Sequence, residues 1–243
     1  MPLDSRIPSH LTFEGREVPL ELRVSPRARR LSLRLDPGRG GLVLTLPEGL
    51  PVARGLDFVE RQSGWIAGRL AQLPPRVPFA DGAVLPILGA DHQIRHAPWA
   101  RAAVWQDGGL LWVSGAAEHL PRRVTDWLKS EARRQVARRA REKAAGLPAL
   151  AETRRIRQLG RIAVRETTSR WGSCTARGDL SFCWRLVLAP EAVLDYVVAH
   201  EVAHLAHLDH SPAFWRLCRQ LTGEADRSRD WLRHHGMRLQ RFG

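Results

Sequence analysis

Cysteine is scarce in this 243-residue chain. Cys174, Cys183 and Cys218 are the whole set, and no two of them form a CxxC pair. A small, disulfide-stapled secreted scaffold is therefore excluded, and a reducing, cytoplasmic setting is expected. Long apolar runs are missing as well. No stretch approaches the roughly 20 residues that a membrane-spanning helix requires, so no membrane association is expected. Asp4, Pro8 and Glu14 interrupt the opening residues, which argues against a signal peptide. No internal repeat and no low-complexity tract is evident. Lysine is nearly absent: Lys129 and Lys143 stand beside 36 arginines. Apolar types at 44% and charged types at 26% are ordinary globular values, which rules out collagen-like or largely disordered chains. The length fits one large domain or two small ones.

The charge is uneven. The net charge of the chain is +13. Residues 122–165 hold fourteen basic and four acidic side chains, so this segment alone contributes +10. Such a segment is a candidate nucleic-acid contact. It is equally a candidate solvated or packed helix face, since Trp127 is the one aromatic among its arginines and base stacking needs more.

The first half reads as β-rich. Val18, Leu20, Leu22 and Val24 alternate with polar residues or proline, as do Leu31, Leu33 and Leu35, and then Leu42, Leu44 and Leu46. Period-two alternation punctuated by glycine and proline marks half-buried strands. A helix follows Pro51, and short strands are expected near residues 84–88, 92–96, 102–105 and 110–113. From about residue 117 to 145 the pattern turns helical, with Leu120, Val124, Trp127, Leu128, Val136 and Ala140 on one face and Gly146 and Pro148 as its stop. The domains expected are a β-rich part over residues 1–118 and a helix-bearing part over residues 119–243.

Pro190 and Glu191 open another helix, which carries His200-Glu201-Val202-Ala203-His204, an HExxH. Positions i and i+4 share a helix face one turn apart, so both imidazoles can reach one zinc ion at about 2.0–2.1 Å. Glu201 then lies at the open side of the metal as a general base for its water. A catalytic zinc needs a third ligand, and His207 and His210 compete. An unbroken helix would carry His207 about 10 Å along the axis from His200. Asp209, Ser211 and Pro212 end the helix, which lets the chain fold back and favours His210. His207 then supports a ligand or lines the cleft. Leu180, Phe182, Trp184 and Leu186 alternate with polar residues and read as a strand on whose edge an extended peptide could pair. The polar loop 169–175 carries one large aromatic, Trp171, and stands between a structural turn and a catalytic part. His234 and His235 read as a solvated helix end.

The run Ser169-Arg170-Trp171-Gly172-Ser173-Cys174, the segment Trp184-Arg185-Leu186, residues 194–198 and residues 200–215 together resemble the YgjP-like zinc metallopeptidases, relatives of the SprT and WLM proteases. Residues 27–35 and 42–47 with Trp65-Ile66 resemble that family's N-terminal region. The resemblance implies an α+β fold with a zincin-like core. It implies zinc held by His200, His204 and His210, Glu201 as base, and a polypeptide substrate. Relatedness to the SprT and WLM proteases also implies proteolysis of nucleic-acid-bound proteins, which suits the basic segment. The alternative is a nucleic-acid-binding module whose zinc site is structural or secondary.

Overall fold

The computed structural model describes residues 8–151, 153 and 155–243. Asp4, Glu152 and Arg154, used above for the leader and the charge of the basic segment, lie outside the described residues. The chain divides into two compact units, Met1–Pro75 and Arg76–Gly243.

In the first unit, strands β1 (His10–Phe13), β2 (Arg16–Ser25), β3 (Ser32–Asp36) and β4 (Gly41–Pro47) form a sheet in the order β1-β2-β4-β3. β2 and β4 run parallel in the middle, and each is flanked by an antiparallel partner. The alternating leucines send one row inward. Val18, Leu20, Leu42, Leu44 and Leu46 pack against Val59, Ile66 and Leu70 of helices α1 (Val52–Arg61) and α2 (Ser63–Ala71).

The second unit begins with β5 (Val84–Ile87), β6 (Ala90–His96), β7 (Val104–Asp107) and β8 (Leu110–Val113), in the order β5-β6-β8-β7. Its central pair β6 and β8 is parallel and its outer pairs are antiparallel. Order and direction match those of the first sheet strand for strand, a repeat of topology that the residue types do not announce. Helix α3 (Leu120–Leu150) covers this second sheet. Leu85, Ile94, Leu111 and Val113 bury against Leu120, Val124 and Leu128. The change from strand to helix patterning near residue 118 therefore falls at an element boundary inside the second unit. At the other end of the unit, Val77 bridges to Phe242.

α3 runs on through Gly146 and Pro148, where the sequence suggested a stop. Leu147 is fully buried and ties the last turn to the core, so packing outweighs the local breakers. The helix is also less of a free basic face than its composition implies. Arg139 is buried and pairs with Glu191 and Asp195. Lys143 donates to Asp195 at 2.9 Å and to the Leu221 carbonyl at 2.6 Å. Arg123 donates to the Ser114 carbonyl at 2.8 Å.

Beyond α3 come β9 (Ile162–Arg165), β10 (Gly172–Cys174) and β11 (Leu180–Cys183), then α4 (Glu191–Ala203), α5 (Pro212–Leu221) and α6 (Ala225–Leu239). The small sheet has the order β10-β11-β9. β11 is thus paired on both sides, and the outer strands of this sheet are β10 and β9. The strand expected to continue through Leu186 stops at Cys183. Residues Trp184–Leu188 form a 3-10 turn in which every residue is buried, so there is no wet face for alternation to serve. The architecture is mixed α and β, with strands concentrated in the first half. Among the described residues no helix is long and apolar enough to cross a membrane.

Candidate metal centre and active site

α4 is apolar nearly all round. From Val193 to Ala203 only Asp195 and His200 escape full burial, which makes it the central helix of the larger core. Its first turn is held by Arg139 and Lys143 of α3 through Glu191 and Asp195. Its last helical residue is Ala203, and His204 forms the C-cap. The chain then reverses. Asp209 Oδ1 accepts from the Ser211 amide at 3.2 Å, and Ser211 caps α5 by accepting from the Phe214 amide at 3.4 Å, with Pro212 in the first turn. These short polar bonds do what a Ser-Pro helix start does, giving the turn a fixed exit.

The reversal brings His210 to His200, with their Nε2 atoms 3.2 Å apart. His200, His204 and His210 present nitrogens that all lie within 4.8 Å of one another. His207 stays out of this cluster. Its backbone carbonyl accepts from His204 Nδ1 at 2.9 Å. A carbonyl only accepts, so His204 carries its proton on Nδ1 and keeps the Nε2 lone pair for the cluster. The Nδ1 of His200 is buried with no partner among the described residues, so the polar engagement of that ring is through Nε2. Burial, reinforced by His204 and His210, lowers His200 to about 4. Burial also lowers His204. Both rings are neutral at physiological pH, the form that ligates a metal. Three imidazole nitrogens are a donor set that suits zinc and leaves a fourth position open.

The side chain of Phe214 is fully buried and lies under all three rings, at 4.5 Å from His204, 4.8 Å from His210 and 5.0 Å from His200 between centroids. It also belongs to the larger core. Its spacing of four residues from His210, on the first turn of a capped helix, is the signal that would have placed it here.

Glu201 is 5% exposed and points toward β10. The approach is so close that a Cβ on Gly172 would stand 2.5 Å from Glu201 Oε1 and 2.6 Å from its Cγ. Burial pushes the Glu201 carboxyl up to about 8, and Arg170 pulls it partly back. A carboxyl poised near neutrality can both take and return a proton. Next to it, Trp171 packs on α6, where a Cβ on Gly236 would meet its Cζ2 at 3.1 Å. The 169–175 loop thus touches the general-base candidate through a glycine and braces α6 through a tryptophan. Cys174 is no nucleophile here: burial, then the charge of Glu201, pushes its thiol up to about 11. His234 and His235 are exposed. His234 Nδ1 donates to the Asp230 carbonyl at 2.7 Å and His235 stacks on Trp231 at 4.8 Å, so both serve α6 itself.

A cavity of about 680 Å³ opens beside His200 and Glu201. Trp171, Tyr196, Val197 and Leu232 supply apolar walls, and Arg229, Asp230 and Arg233 of α6 supply charge.

Neither the curated proteins nor the solved structures contain a match to this chain. The family model described as YgjP-like, metallopeptidase domain, matches residues 29–235, which take in β3 and β4 of the first sheet, the whole of the other two sheets, the three-histidine cluster and the residues that line the cavity. The chain belongs to the YgjP-like metallopeptidase family.

Proposed function

We propose that the chain is a zinc-dependent endopeptidase with His200, His204 and His210 as ligands and Glu201 as general base. The observation that carries this reading is the convergence of three imidazoles with a buried carboxyl on one helix and its return turn. Bound there, zinc supplies Lewis acidity, which makes a water molecule more acidic and polarises a scissile carbonyl. Glu201 would take a proton from the attacking water at its carboxylate and pass it to the departing amine. Gly172 holds the carboxylate in place by leaving no room behind it. The His207 carbonyl holds His204 in its ligating tautomer. As an outer strand, β10 suits an extended peptide, whose backbone would pair beside Glu201. The three cysteines are free, which suits a cytoplasmic place of action.

Metal analysis separates the ligands. The purified protein should bind about one zinc per chain, with hydrolysis of an unfolded protein substrate lost on chelation and restored by zinc. His210→Ala should lose the metal. His207→Ala should retain it, because the group that serves His204 is the backbone carbonyl. Retention of zinc by His210→Ala, or its loss from His207→Ala, would overturn the ligand assignment.

Recruitment to nucleic-acid-bound proteins is a separate reading with a narrower basis than the +10 segment suggests. Arg139 and Lys143 are engaged inside the fold, and Arg157 donates to the Leu205 carbonyl at 3.2 Å. The exposed arginines of α3 include Arg133, Arg134, Arg138 and Arg141, of which Arg134 pairs with Glu131 and Arg138 with Glu142 at the surface. Reversing these four to Glu should abolish a salt-sensitive retention of DNA or RNA in filter binding. A wild-type protein that retains neither at low salt rules the reading out.

A further inference from the structure

The cavity beside Glu201 carries chemistry that peptide-bond hydrolysis does not itself demand. Its volume of about 680 Å³ is that of a ligand site, and four of its walls are apolar. The remaining character comes from His200 and Glu201 of α4 and from Arg229, Asp230 and Arg233 of α6, so two guanidiniums stand in the lining with two carboxyl groups, Asp230 being exposed to solvent. Arg229 and Arg233 stand one turn apart on the face of that helix that lines the cavity. The Arg229 guanidinium lies 5.4 Å above the Trp215 ring, and that ring lies 5.7 Å from His200. A single aromatic ring therefore separates this cation from the histidine cluster. A cation–π contact at this distance leaves the N–H donors of the guanidinium available.

The acidic neighbours of these arginines hold them loosely. Arg229 is 3.6 Å from Asp226, a carboxylate that also takes Arg219 at 3.1 Å. Arg233 is 3.9 Å from Asp230. All of these groups are half-exposed or more, and pairs of that length in water contribute little. Each guanidinium has five N–H donors, so both keep donors for an incoming anion. Arg170, exposed beside Trp171, adds a third positive charge near Glu201. Apolar walls under a pair of guanidiniums suit a carboxylate carried on a short hydrocarbon stem.

We propose that this cavity is a carboxylate-selecting substrate pocket, in which Arg229 and Arg233 recognise an acidic side chain of the peptide or its C-terminal carboxylate beside the scissile bond. The proposal rests on the peptidase reading and gives it a substrate class: acidic peptides, or peptide ends.

The test uses the zinc-loaded Glu201→Gln protein, in which binding is measured by calorimetry without turnover. The probes are peptides identical except for Glu in place of Gln at one position, scanned along a neutral sequence. Each is made with a free and with an amidated C-terminus. A Glu peptide, or a free-acid peptide, should bind about tenfold tighter than its neutral counterpart. The arm that carries the gain identifies the source of the carboxylate. The gain should vanish in Arg229→Gln/Arg233→Gln, while the neutral amidated peptide binds as before, which shows that the variant is folded. Equal binding of all peptides, or a gain that survives in the double variant, overturns the proposal. So does a phosphoserine peptide that outbinds the Glu peptide by a wide margin. Discrimination in binding, with no hydrolysis of any peptide by the wild-type protein, upholds the pocket and sinks the peptidase reading.

Discussion

Replacing Glu201 by Gln should leave zinc content unchanged and lower peptide hydrolysis by about 10²–10⁴-fold, the range supplied by a positioned general base. The amide fills the same space against Gly172, and Glu201 is not one of the three clustered ligand groups, so the histidine cluster keeps its geometry. What it lacks is an oxygen basic enough to take a proton. Folding should not suffer, because the side chain is 5% exposed and a neutral amide is no harder to bury than a carboxyl already pushed up by desolvation. Metal analysis beside a fluorescent-peptide assay reads both quantities on one preparation. Hydrolysis at the wild-type rate would show that Glu201 is not the base.

Gly172→Ala should be nearly as damaging, for a steric reason. Its new methyl would stand 2.5 Å from Glu201 Oε1, 2.6 Å from Cγ and 2.8 Å from Cδ. Neither side yields easily. Gly172 is held in register opposite Phe182 in the β10–β11 pair, and Glu201 is buried on the central helix. Overpacking of this kind costs about 1–3 kcal/mol. A displacement of the carboxylate by about 1 Å can cost about 100-fold in rate. Glu201→Asp shortens the side chain by one methylene and withdraws it from the methyl. Adding Gly172→Ala to Glu201→Asp should therefore cost far less than adding it to the wild type, both in kcat/KM and in thermal midpoint. Zinc content stays constant across the cycle. Additive losses in both readouts would show that Gly172 acts elsewhere.

The parts of the site that sequence reading reached are those in which chemistry is local. HExxH on one helix face is a matter of five consecutive residues, and the return of His210 follows from Asp209, Ser211 and Pro212 within the next eight. The alternating leucines of β2, β3 and β4 likewise show their inward rows without help. What escaped was non-local. Gly172 meets Glu201 across 29 positions, so neither residue type betrays the contact. Arg139 looks like every other arginine of α3 until the carboxylates of Glu191 and Asp195 arrive from 52 and 56 positions away. Pro148 reads as a helix stop because its local cost is visible and the burial of Leu147 is not. Two sheets can share a topology without sharing residues, because strand order is set by pairing partners and not by composition.

That shared layout bears on where the catalytic part of the chain begins. The first copy of the sheet carries its own lid, α1 and α2. The second is roofed by α3, which also holds α4, the helix of His200 and Glu201, through Arg139 and Lys143. A chain begun at residue 119 would leave Leu120, Val124 and Leu128 facing water along the first three turns of that helix. One begun at Arg76 keeps them covered. The compact unit that holds the three-histidine cluster therefore includes a sheet that lends the cluster none of its residues, and it begins at Arg76, not at the point where strands give way to helices.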